Sequence, residues 1–304
     1  MYDLISIGNI STDIYFSADA LTKKDDRLYL AVGGKYRIEE YELHVGGGGA
    51  NVAIGARRYG LKTAVVGMIG NNAFRKNTMA RLKTGKVSTK FVLFNQKDTN
   101  LSVILLGANG ERTILMHSAP HRHSQAEQKI VRAIAKTTVR AVYFGNMPDV
   151  GVEVRARLKK QLVDKGVFTV VNLGTADCRR SEDEIEALLT YTKMLIVNTH
   201  EFAQLVKKKR EEIDFRSSVA HMVPSMTSDL IVVTDGKNGS YAYIDGHVYY
   251  QPAKHAKKVV DSTGCGDAYT AAFIASYVRH EDVPRAMRAG AAYAVVILAK
   301  KGAN

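Results

Sequence analysis

The chain has 304 residues, 46% of them hydrophobic, which excludes global disorder and fits one large α/β domain with a small appendage, or two domains. A formal net charge of +13 favours anionic partners, among them nucleotides, phosphorylated metabolites and nucleic acid. Two cysteines, Cys178 and Cys265, exclude a disulfide framework or a four-ligand zinc site and agree with a reducing compartment. No apolar run is long enough to cross a membrane, and Met1-Tyr2-Asp3-Leu4-Ile5-Ser6-Ile7-Gly8 reads as a buried strand rather than a leader, so the expected location is cytoplasmic.

Apolar runs bounded by turn residues predict strands over 4–10, 63–69, 141–144, 168–173, 194–197 and 230–234, most of them followed by helical periodicity. Such alternation predicts a central, mostly parallel sheet flanked by helices. Two hairpins interrupt it, over 102–116 around Asn109-Gly110 and over 240–251 around Asp245-Gly246, both with dipeptides that tolerate positive φ. The first is polar on both sides, and with the segment 14–45, poor in helical periodicity, it is expected to form a small separate sheet. No linker, repeat or low-complexity tract divides the chain, so residues 1–304 are read as one domain.

The glycine cluster Gly46-Gly47-Gly48-Gly49-Ala50-Asn51 precedes a helix predicted from 52 to about 59. It is not a dinucleotide fingerprint, because the last glycine and the following acidic residue are missing. Nor is it a Walker loop, since no glycine-lysine pair in the chain is followed by Ser or Thr. What remains is a tight turn presenting Asn51, whose amide both donates and accepts and so suits a polyol; an ordinary helix entry is equally compatible. His117, His121 and His123 are read as loop histidines, because Pro120 breaks any helical register and no fourth ligand accompanies them. The run Lys207-Lys208-Lys209-Arg210, followed by Glu211-Glu212, is read as a solvated face at a helix end. No aromatic residues interleave with it as nucleic-acid stacking platforms would.

Late in the chain, Asp261-Ser262-Thr263-Gly264-Cys265-Gly266-Asp267 joins a glycine turn to a helix predicted from 268 to about 278. Gly264 and Gly266 let backbone amides converge where the helix dipole is positive, which favours an anion. Asp267, in the first turn, suits a proton acceptor better than a second anion site, and the combination fits phosphoryl transfer. An aspartate-capped helix after a glycine turn has the same local sequence.

Together, these two clusters resemble the signature pair of the ribokinase-like pfkB carbohydrate kinase family. The order agrees: Asp13 in Gly8-Asn9-Ile10-Ser11-Thr12-Asp13, then Gly46 to Asn51, then Asp261 to Asp267 in place of an Asp-Thr-x-Gly-Ala-Gly-Asp motif. Asn198-Thr199-His200-Glu201 is similar to the family's Asn-x-x-Glu element, and Thr234-Asp235-Gly236-Lys237-Asn238-Gly239 to its nucleotide-binding turn. The resemblance covers essentially the whole chain. It implies an ATP-dependent kinase acting on a hydroxymethyl group of a sugar or sugar-like acceptor. Asp267 would be the base, with the amides of Gly264, Cys265 and Gly266 as anion hole. Asp13, Gly47, Gly48 and Asn51 would hold the acceptor, and Asn198, Thr234, Gly236 and Gly239 the nucleotide. Glu201 would reach Mg²⁺ through water, and Asp261 and Thr263 would line a K⁺ site. A lid from about 14–45 and 91–116 would exclude water and pair protomers into a dimer.

Taken singly, Asp13 reads as a turn former, Asn198 as a strand-end cap and Glu201 as a solvated helix residue; their order favours the kinase. Cys265 stands where Ala is common, and neither His44 nor the stretch 25–45 matches a subfamily. Ribokinases tend to carry Lys at the third position of the first cluster and fructokinases Ala-Pro, so the acceptor is open. A nucleoside kinase is the runner-up. A catalytically silent phosphate-binding or nucleic-acid-binding relative is the reading from another class, against which the intact Asp267 argues.

Overall fold

Strands with apolar side chains on both faces must be covered on both, and this is how the large sheet of the chain folds. The structure, a computed structural model, describes residues 1–17, 22–24, 27–95, 98–106, 112–118, 131–147, 150–223 and 230–304. Among these, one large sheet runs in the order β15 (His247–Gln251), β14 (Ser240–Ile244), β13 (Leu230–Thr234), β12 (Met194–Asn198), β11 (Phe168–Val171), β10 (Val139–Phe144), β1 (Tyr2–Ile7), β6 (Thr63–Gly70) and β7 (Ser88–Asn95). Neighbours from β13 to β7 are parallel, and β14 and β15 add an antiparallel edge. Alternate residues feed two cores. Ile5, Val142, Val171, Leu195 and Val233 face one layer of helices, and Leu4, Ala141, Val170, Ile196 and Val232 face the other.

The second layer holds the helices that matter for the site: Gly48–Arg58, Cys265–His280 and Val283–Leu298. The last starts as its sequence demands, with Asp282 accepting from Arg285 N at 2.8 Å and a proline in its first turn. The helix expected to begin at 52 begins at Gly48, so Asn51 belongs to its first turn rather than to a loop. Among the described residues, no helix is long and apolar enough to cross a membrane.

A four-stranded sheet stands apart, in the order β5 (Glu40–Gly46), β2 (Ser11–Ser17), β8 (Asn100–Leu106) and β9 (Arg112–His117), with a two-stranded ribbon of β3 (Thr22–Lys24) and β4 (Arg27–Tyr29) beside it in sequence. Residues 91–95, expected in this unit, instead end β7 and pair with β6 in the large sheet. The turn Asn109-Gly110 and the histidines His121 and His123 lie outside the described residues. The hairpin over 240–251 forms as expected, with φ of 49° at Asp245 and 76° at Gly246, but it extends the large sheet. Chain order reverses at β1, flanked by β10 on one side and β6 on the other, and such a reversal opens a crevice at the strands' carboxyl ends. Gly8 and Gly145 sit there, Gly145 N donating to Ile7 O at 2.8 Å.

Candidate functional site

Asp13 sits on β2, opposite His44 of β5 and Ser102 of β8. It is buried, and Ser11 Oγ donates to its Oδ1 at 2.7 Å. Burial pushes its carboxyl above the usual range; bonds from Ser11 and Ser102 and the charge of His44 pull it partly back. The neighbouring glycine is required by contact: a Cβ on Gly46 would lie 1.9 Å from Asp13 Oδ2. Gly47 caps the helix, and a Cβ on Gly48 would stand 3.4 Å from Asp267 Oδ1, so the end of the first glycine cluster faces the second.

Asn51 closes the gap between them. Its Nδ2 donates to Asp267 Oδ2 at 2.7 Å, and its Oδ1 accepts from Asn304 Nδ2 at 2.9 Å. Burial raises the Asp267 carboxyl, the Asn51 bond opposes that rise and the charge of Asp13 adds to it. A buried carboxylate whose proton is held more tightly than usual has the character of a candidate general base. Tyr143, buried on β10 beside Gly48, completes the wall; burial and then the charges of Asp267 and Glu201 hold its phenol protonated.

Gly264 caps the helix Cys265–His280 at φ 75°, and a Cβ there would meet Ala303 Cβ at 2.1 Å. Gly266 differs, being exposed, with nothing beyond its own helical turn within 4 Å of a Cβ built on it. Its missing side chain leaves room in front of the first-turn amides, where an anion is favoured. Burial, with the charge of Asp261, pushes the Cys265 thiol up to about 12, which removes it as a nucleophile.

Asp261 is fully buried and held from several sides. Thr263 N and Oγ1 donate to its Oδ1 at 2.8 and 2.7 Å, and Gly302 N donates to its Oδ2 at 3.2 Å. From β9, Arg112 Nη1 donates to Ser262 Oγ, with Arg112 Nε 3.9 Å from Asp261 Oδ1.

Asn198 and Glu201 form a reciprocal capping box at the helix Thr199–Leu205: Glu201 N donates to Asn198 Oδ1 at 2.8 Å and Asn198 N to Glu201 Oε2 at 3.0 Å. The strand-end cap expected of Asn198 is therefore real, while Glu201 is only partly exposed and its carboxyl is raised, by burial and then by the charge of Asp267. Thr234 lies beside Asn198 in the parallel register of β13 and β12. The turn after it uses positive φ at Gly236 and Gly239, with Asp235 N donating to Gly239 O at 2.8 Å.

Asp235 was not singled out by the sequence. Arg210 Nη2 donates to both its oxygens, at 2.7 and 2.8 Å, and Thr199 Oγ1 donates to it at 3.0 Å. The basic run thus departs from the solvated face expected of it. Lys207 pairs with Glu182 at the surface, whereas Arg210 braces the turn after β13. Tyr143, Asn304, Ser102 and Arg112 were missed as well; only the fold brings them to the crevice. Among the described residues no group of three or more His, Cys, Asp or Glu side chains is arranged to hold a metal ion.

A family model described as pfkB family carbohydrate kinase matches residues 1–304. The ribokinase of Haemophilus influenzae is 25% identical over 308 residues, covering 99% of this chain and 94% of its own. The structure of Arabidopsis thaliana ribokinase complexed with ribose and ATP superposes with a TM-score of 0.77 at 24% identity, over 99% of this chain and 94% of that one. The structure of Burkholderia thailandensis nucleoside kinase in complex with inosine gives 0.77 at 16% identity, over 99% and 92%. At these identities the two superpositions establish a shared fold.

Proposed function

The chain belongs to the pfkB family of carbohydrate kinases, and from that premise we propose that it transfers the terminal phosphoryl group of ATP to a hydroxymethyl group of a sugar or sugar-like acceptor. One observation carries the reading: the 2.7 Å bond from Asn51 to Asp267 joins glycine clusters far apart in sequence into one crevice. Asp267 takes the proton of the attacking hydroxyl as its oxygen forms the new bond to phosphorus; the bond from phosphorus to the bridging oxygen breaks, and its electron pair leaves on ADP. The amides of Gly264, Cys265 and Gly266, with the helix N-terminus behind them, receive the charge on the phosphoryl oxygens. Asp13 accepts hydrogens from the acceptor's hydroxyls, and Gly47, Gly48 and Asn51 bound the rest of it.

The nucleotide lies along Asn198, Thr234, Gly236 and Gly239, on the turn that Arg210 braces. Magnesium fits the donor set, since Glu201 is a partly buried oxygen ligand that feels the charge of Asp267, and a solvated ion held from Glu201 would neutralise charge on the phosphates. Potassium fits Asp261 and Thr263 poorly, because Thr263 and Gly302 already fill three acceptor positions of a fully buried carboxylate.

The small sheet, built from parts of 11–46 and 100–117 of a single 1–304 domain, acts as the lid. Its outer strand β9 exposes Leu115 and Met116, and we assign dimer pairing to that edge and the protein to the cytoplasm. A nucleoside acceptor is the second reading. One observation favours it: a largely apolar cavity of about 100 Å³, lined by Met68, Leu93 and Met147, adjoins Gly8 and Asn9 at the end of β1.

The test is an ADP-release screen over pentoses, hexoses, their phosphates and nucleosides, with and without potassium. Turnover of a sugar supports the first reading, and turnover confined to nucleosides supports the second. Salt-sensitive nucleic-acid binding without any turnover would make the protein a silent relative.

A further inference from the structure

A carboxylate withdrawn completely from water has to be compensated by hydrogen bonds and by charge. Asp261 receives three hydrogen bonds from Thr263 and Gly302, and all three donors are uncharged. The charge comes from elsewhere in the chain. Arg112 lies on β9, the outer strand of the small sheet, and its guanidinium spans two residues of the loop, bonded to Ser262 Oγ and 3.9 Å from Asp261 Oδ1. Its charge also reaches Cys265, where it opposes the rise that burial and Asp261 impose on the thiol. Two other cationic candidates flank Gly302 and are committed elsewhere: the His44 ring pairs with Glu42 at 2.9 Å, and Lys301 with Glu40 at 2.9 Å and Glu42 at 3.2 Å.

We propose that Arg112 is a positioning residue: its guanidinium holds the 261–267 loop in the place where a monovalent cation would otherwise act, so the loop keeps its shape and phosphoryl transfer proceeds without potassium. The proposal rests on the kinase reading for its rate readout but not for its structural one. A planar guanidinium suits the position because one fork can serve a hydroxyl and a carboxylate together, whereas an ammonium offers a single point of charge. Because Arg112 belongs to the small sheet, the loop receives its charge only when that sheet is docked against it.

The test compares the full-length protein with Arg112→Ala and Arg112→Lys in choline, sodium and potassium chloride. For the wild type, the melting temperature and the rate on the acceptor found by the ADP-release screen should be the same in all three salts. Arg112→Ala should melt lower in choline and regain stability with millimolar potassium or guanidinium. Its rate should fall by about ten- to a hundred-fold, the size of a lost charge-assisted contact, and be partly restored by the same ions. Arg112→Lys, which keeps the charge, should stay insensitive to the salt in melting.

A wild-type rate or melting temperature that rises strongly with potassium would overturn the proposal. So would an Arg112→Ala protein that matches the wild type in choline. If no acceptor is turned over by the wild type, the kinase reading fails, and the melting comparison still decides the role of Arg112.

Discussion

The two glycine turns of the crevice look alike in sequence and do opposite work. In the first, glycine is required by the protein itself, since a Cβ on Gly46 would sit on the Asp13 carboxylate. In the second, Gly264 is required by its backbone and by Ala303, but Gly266 faces open space. One turn is glycine-rich so that the chain can close on itself. The other leaves open space at Gly266, which is where the proposed reading brings the phosphoryl group. Glycine content alone does not separate a packing constraint from a ligand's footprint; the neighbours of the missing Cβ do.

Substitutions can break this contrast. The largest effect is expected of Asp267→Asn, which keeps the Asn51 contact region intact but removes the base; the rate of phosphoryl transfer should fall by about 10²–10⁴-fold, with nucleotide affinity in calorimetry unchanged. Gly46→Ala should destabilise by about 1–3 kcal/mol in denaturant titration and abolish acceptor binding, because Asp13 must move. Gly266→Ala should do the reverse. Placed in the first turn of a helix with ordinary backbone angles, it should leave stability unchanged or raised by up to about 1 kcal/mol, while the rate falls because the new methyl enters the anion's space.

A pH series sharpens the same comparison. Burial raises the Asp267 carboxyl, so the folded state binds its proton more tightly than the unfolded chain does. Ionisation therefore costs stability as pH rises through the folded value, and the cost is absent below the ordinary carboxylate value. Asp267→Asn should melt above the wild type at neutral pH and lose that advantage near pH 3, about where an unfolded aspartate protonates. The acid limb of the wild-type rate profile should lie above the ordinary aspartate range. The smallest effect belongs to Cys265→Ala: the protonated thiol contributes only its bulk, and rate and stability should stay near wild type.

Much of the large sheet was legible because buried parallel strands are written as short apolar runs, such as Met194 to Val197 and Leu230 to Val233. The edge hairpin was legible for a local reason, since Asp245-Gly246 has to supply positive φ. The helix start at Gly48 was not. Four glycines read as loop, and the contact that requires glycine within the first turn, Gly49 against Gly8, is made with another element. The assignment of 91–95 to the small sheet failed because an apolar edge strand does not record which sheet it joins. The residues named for the crevice came from motif order, and the fold gathers them around Asp267, which Asn51 touches and whose charge interacts with Asp13 and Glu201. Arg112 and Arg210 carry no local mark, because their partners lie on other elements: Arg112 reaches the 261–267 loop and Arg210 the turn after β13.

Asp13 is carried by β2, in the middle of the small sheet, whereas Asp267 is anchored to the helical layer behind the large one. The two carboxylates are therefore mounted on separate bodies, and their spacing is a property of how those bodies meet. On the proposed reading, any excursion that separates the sheets would take the acceptor's hydrogen-bond partner away from the base in the same movement. Release of product and disassembly of the binding site would then be one event, and each turnover would have to rebuild the geometry of the site.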